Sequence, residues 1–97
     1  MKYVIKSQCF QSIMSFYSNA AKKYKHTYSK ELMQKNITEA YDAIYLIEKT
    51  LQRRRPTVEQ WEKEGWQMAN AGKWYYAYTI SDDTIVIHDA CHTQNMH

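Results

Sequence analysis

The sequence predicts an α+β domain in which an N-terminal strand and an antiparallel helical hairpin pack on a small antiparallel C-terminal sheet. Three observations predict it. Apolar residues recur at three- and four-residue steps through much of the first half, the period of one helix face. The last third instead carries short runs of aromatic and β-branched residues separated by turn residues. With only two Gly and one Pro in 97 residues, tight turns are few and elements should be long. The length suits one domain spanning 1–97.

Residues 2–6, KYVIK, read as a short strand. Ser7 is a plausible N-cap for a helix from about Gln8 to Lys25, whose face holds Phe10, Ile13, Met14, Tyr17, Ala20, Ala21 and Tyr24. Ser29 can cap again, and Met33, Ile37, Ala40, Ile44, Ile47 and Leu51 form the stripe of a second helix from about Lys30 to Gln52. Pro56 stops it. Thr57 with Gln60 is a capping-box spacing, so a brief third helix is expected at Val58–Glu64, closed by Gly65.

Trp66–Ala69 reads as a strand that turns through Asn70-Ala71-Gly72 into Lys73–Ile80. A turn at Ser81–Thr84 leads to the last strand, Thr84–His92. A two-residue loop at Asp82-Asp83 would pair Ile80 with Ile85, Tyr78 with Ile87 and Tyr76 with Asp89. Alternation then gives one face Trp74, Tyr76, Tyr78, Ile80, Ile85, Ile87 and Cys91, expected on the helices. The other face would carry Lys73, Tyr75, Ala77, Thr79, Val86, His88, Ala90 and His92 and be open to water.

Charge is uneven. Residues 1–55 hold eleven Lys/Arg against four acids, residues 56–97 two against six. A basic half suits an anionic partner such as nucleic acid, although lysines also solvate helix faces. Arg53–Arg55 has both readings: cations oppose the dipole at a helix C-terminus, or they hold a phosphate backbone.

No apolar run is long enough to span a membrane, and the first residues lack the apolar core of a signal peptide. Cys9 and Cys91 are too few for a disulfide framework, so a cytoplasmic protein is expected. His88, Cys91, His92 and His97 resemble a ligand cluster. On a strand, however, His88 and His92 would lie roughly 13 Å apart, which disfavours a metal site. Phosphate-loop and dinucleotide fingerprints need glycines the chain lacks. Cutting RNA through the 2′-hydroxyl is the better match, because it needs a base, an acid and a cation. His, Lys and Tyr supply all three, and histidine titrates near neutrality.

The order of elements resembles the RelE/ParE superfamily of bacterial toxins, most closely its YoeB-like branch. Those toxins have a tryptophan opening a hairpin, a segment of the type HRLVYEI, a turn, and a strand such as DDTLVI. Here Trp66 is followed at matching spacing by WYYAYTI (Trp74–Ile80) and DDTIVI (Asp82–Ile87). The resemblance implies a RelE/ParE-like fold and a toxin that cuts messenger RNA, usually in the ribosomal A site, silenced by a small antitoxin protein. Such a reaction would need no cofactor, and no membrane partner is expected. The family's ParE branch instead poisons DNA gyrase, so a non-catalytic binding protein on the same scaffold is the alternative. Tyr75 stands where the nuclease pattern has its arginine and Trp74 where it has histidine. The expected catalytic group is therefore His92 as general acid or base, supported by His88, with Lys73 on the phosphate and Tyr75 against the nucleotide. Arg53, Arg54, Arg55 and His97 are the expected RNA-binding residues. Glu59 corresponds loosely to the branch's upstream acid.

Overall fold

A computed structural model of the protein describes residues 2–24, 26–50 and 58–95. The alternating segment Lys2–Ile5 forms a strand, β1, and Ser7–Lys23 the first helix, α1. Lys30–Ile44 is the second helix, α2, and Glu59–Lys63 a short third, α3. Three strands follow: β2 (Gln67–Ala71), β3 (Trp74–Ser81) and β4 (Thr84–His92). Single 3₁₀ turns occupy Ile47–Thr50 and Thr93–Asn95. The result is an α+β fold with one four-stranded sheet in the order β1-β4-β3-β2.

That sheet is mixed, not purely antiparallel. The strands β2, β3 and β4 form an antiparallel meander, but β1 joins β4 in parallel, with Tyr3 opposite Ile85 and Ile5 opposite Ile87. The long path through α1 and α2 makes a parallel return geometrically possible.

One sheet face meets the two long helices. Cys9, Ile13 and Tyr17 of α1, with Ala40 and Ile44 of α2, bury Trp74, Tyr76, Tyr78, Ile85 and Ile87. Polar tips of the buried rings find partners: Tyr76 Oη donates to the Ala40 carbonyl, and Trp74 Nε1 donates to Tyr17 Oη at 3.2 Å. Phe10 at the start of α1 lies against Tyr41 near the end of α2, so the helices run antiparallel. Truncating Ile87 to Ala should cost about 2–4 kcal/mol, the usual penalty for emptying a closed core site. Chemical denaturation measures it; a loss under 1 kcal/mol would mean that this layer is not packed as described.

Several expectations change. Ser7 is the first helical residue, not the cap; Lys6 occupies the N-cap position without a side-chain bond. Ser29 does cap α2, its hydroxyl accepting the Leu32 N–H at 3.1 Å. The α2 helix ends at Ile44, not Gln52. Tyr45 and Leu46 N–H groups bond three residues back, and the tighter turn still delivers Ile47 into the core. Gly65 closes α3 with φ +75°, the left-handed turn expected there. The β2–β3 turn falls one residue later than expected, at Gly72-Lys73, and Gly72 supplies its positive φ. At the β3–β4 turn Asp82 takes φ +54°, a conformation aspartate tolerates better than most residues.

The consequential difference lies within β4. Ile80 pairs with Ile85 and Tyr78 with Ile87, as the two-residue loop requires. Beyond that the register slips, and Tyr76 pairs with Ala90 instead of Asp89. His88 is the extra residue of a β-bulge. A one-residue slip exchanges the faces of everything after it.

Candidate functional site

The bulge divides the residues that strict alternation places together. Past it, Ala90 and His92 turn to the helix side, while Cys91 turns to the opposite side. That opposite face is not open to water as alternation suggested. There α3 lays Trp61 across Met68 and Ala77, and Val58, Trp66, Tyr75 and Cys91 complete a second apolar cluster. Ile80, expected in the core, is 42% exposed at the hairpin tip.

His92 is only 6% exposed and lies between rings. Phe16 stacks on it at 4.2 Å with planes 9° apart, and Trp74 meets it edge-on at 5.2 Å. The Gln94 backbone N–H donates to His92 Nδ1 at 3.2 Å. A neutral ring that accepts at Nδ1 carries its proton on Nε2, so this contact assigns the tautomer. Lys73 is adjacent in the turn, where its carbonyl accepts the Thr93 N–H. Burial lowers the His92 pKa first, and the Lys73 charge lowers it further.

Beside His92 runs a groove of about 560 Å³, walled by Ser15, Phe16, Asn19 and Lys23 of α1 and reaching Trp74 and Gln94. These α1 positions recur at three and four residues, a polar face next to the core stripe. Among the described residues, Lys23 is the one permanently charged residue in the groove wall and no acid lines it. Lys23 Nζ lies over the ring of Tyr24, another residue of the groove, 5.4 Å from its centre.

His88 and Tyr75 are elsewhere. His88 stacks on Trp66 at 4.5 Å and 4°, and its Nε2 bonds Thr79 Oγ1 at 2.9 Å. Burial lowers its pKa, Lys6 lowers it further, and Glu64 partly opposes them. Tyr75 is half-buried in the α3-side cluster. The expected catalytic four divide into two pairs: Lys73 with His92, and His88 with Tyr75 beside Trp66. Glu59 sits in α3, on the far side of the sheet from His92. Arg53, Arg54, Arg55 and His97 lie outside the described residues.

Among the described residues, no three of His, Cys, Asp and Glu are grouped where a metal ion could sit. None of the described helices is long and apolar enough to cross a membrane. Burial pushes the Cys9 thiol up to about 12, with the Asp89 charge adding to it, so this thiol stays protonated and inert.

Phe16, Lys23 and Asp89 were not expected at the site. Phe16 has a signal: it follows Ile13 by three residues and precedes Ala20 by four, the same apolar period that places Tyr17. Asp89 carried a signal: aspartate is disfavoured in strands, and a polar His88-Asp89 pair between Ile87 and Ala90 breaks the alternation.

Both histidines have lowered pKa values, which sets the sign of a pH effect. The unfolded chain, with histidines near 6.5, takes up protons before the folded one does. Their contribution to stability is therefore complete above about pH 6.5 and is lost as pH falls through the lower folded values. Thermal melts should show a falling Tm between pH 7 and 5. The double variant His88→Gln/His92→Gln should flatten that slope, and an unchanged slope would assign the effect to other groups.

Compared with protein-family models and with curated proteins, the chain matches none.

Proposed function

We propose that this protein is a toxin component of the RelE/ParE type that acts on RNA, with the α1–β4 groove as its RNA site. What carries this reading is the groove itself: Lys23 and the His92 Nε2–H as donors, no acid in the wall among the described residues, and aromatic rings beside them. Such a surface suits the phosphates and unstacked bases of a single strand. The order of strand, two helices and antiparallel meander supports the kinship on which the toxin reading rests. A toxin of this kind works in the cytoplasm on messenger RNA, at the ribosome, and is neutralised by a cognate antitoxin.

In this reading the 2′-oxygen attacks the phosphorus as the bond to the 5′-oxygen breaks, and the hydroxyl's proton passes through water to the leaving 5′-oxygen. His92 donates from Nε2 to a non-bridging phosphate oxygen and stabilises the charge that builds there. Lys23 and Lys73 add positive potential. Acting as a base would require His92 to take a proton at Nδ1, where the Gln94 N–H already donates.

One observation favours the alternative, a non-catalytic binder on the same scaffold. The bulge puts His88 and His92 on opposite faces of the sheet, so two histidines do not share a site as acid and base. Induced expression followed by mapping of RNA ends separates the readings. New RNA ends with growth arrest support the nuclease; growth arrest without them supports the binder; neither effect removes the toxin reading.

A further inference from the structure

We infer that Asp89 is a positioning residue of the groove: its carboxylate holds the β4 bulge in the form that aims His92 at α1. The inference rests on the reading of that groove as an RNA site, but its key readout does not. Asp89 lies one residue past the bulge, beyond the point where β1 stops opposite Ile87. On that side β4 has lost its neighbouring strand. The carboxylate takes over the edge: Oδ1 accepts the Ala90 backbone N–H at 2.8 Å. The same oxygen accepts the Ser12 hydroxyl of α1 at 2.6 Å, while Oδ2 accepts Trp61 Nε1 of α3 at 3.1 Å.

Three donors from three elements therefore converge on one side chain. Ser12 also lines the groove, so its bond fixes the spacing between the α1 wall and β4. The Trp61 bond holds Asp89 from the opposite side of the sheet and opposes any return to regular pairing. Regular pairing would turn residues 89–92 over and take His92 off Phe16. Bulges beside functional sites commonly re-aim one side chain in this way. Here the re-aimed side chain is His92, and Asp89 acts only through it.

The test uses the full chain with Asp89→Asn, Ser12→Ala and Trp61→Phe. Two readouts are the His92 imidazole ¹⁵N shifts and the affinity for a mixed-sequence single-stranded RNA oligonucleotide. In the wild type His92 should show one neutral tautomer protonated at Nε2. Asp89→Asn keeps the shape but weakens charge-assisted bonds, so His92 should move to averaged tautomers and RNA affinity should fall about tenfold or more. Each single-donor variant should produce a smaller shift of the same kind. A purely structural Asp89 would lower Tm in these variants while leaving the His92 spectrum in place. That result in the folded variants overturns the inference. Should Asp89→Asn fail to fold, Ser12→Ala, which removes one hydroxyl, still decides it. A wild type that binds no RNA but whose His92 spectrum responds to Asp89→Asn overturns the RNA site and keeps the positioning role.

Discussion

His92→Phe should leave the fold intact and lower RNA cleavage by about 10²–10³-fold, the typical loss when one preorganised donor to a developing oxyanion is removed. Phenylalanine keeps a flat ring between Phe16 and Trp74, so the packing that surrounds His92 is retained. What disappears is the Nε2–H proposed to meet the phosphate and the Nδ1 acceptor for Gln94. Gln94 is exposed, so its N–H can turn to water at little cost. The lost quantity is thus chemistry, not stability. Mapped RNA ends after induction, together with a thermal melt, check both halves. Full cleavage by a folded His92→Phe protein would eliminate His92 and return the search to other residues. If RNA affinity falls while the wild type itself makes no new ends, the groove is a binding site without a reaction.

Much of the fold could be read from local rules because those rules act over short distances. The hairpin loop at Asp82-Asp83 and the pairs next to it depend on turn chemistry, and they hold as far as Ile87. Ser29 and Gly65 work as punctuation for the same reason. The site was less legible, because it hinges on a single inserted residue. The bulge at His88 is stabilised by Ser12 and Trp61, which are 77 and 28 residues from Asp89 in the chain. No alternation within β4 could reveal partners so distant. Once the slip is counted, His92 and Cys91 exchange faces, and the group of four that shared a face becomes two pairs on opposite sides. The covered second face was missed for a related reason: α3 is a five-residue helix whose period is too short to show which side Trp61 takes.

Trp61→Ala should be among the most destabilising single changes in the chain, at about 3–5 kcal/mol for emptying a fully buried aromatic site. Trp61 is 1% exposed and is the largest fully buried side chain of the cluster on the α3 side. A helix of five residues has almost no stability of its own, so α3 is held in place by this ring. Trp61→Phe should cost less, because it keeps most of the apolar contact and loses the indole N–H to Asp89. The comparison separates packing from the hydrogen bond: denaturant unfolding reports the first, and RNA affinity at the groove reports the second. Since Trp61 stands on the face opposite the groove, weakened RNA binding by a stable Trp61→Phe protein can only pass through Asp89 and the bulge. Equal stability losses for the two variants would mean that the hydrogen bond, not the apolar fill, secures α3.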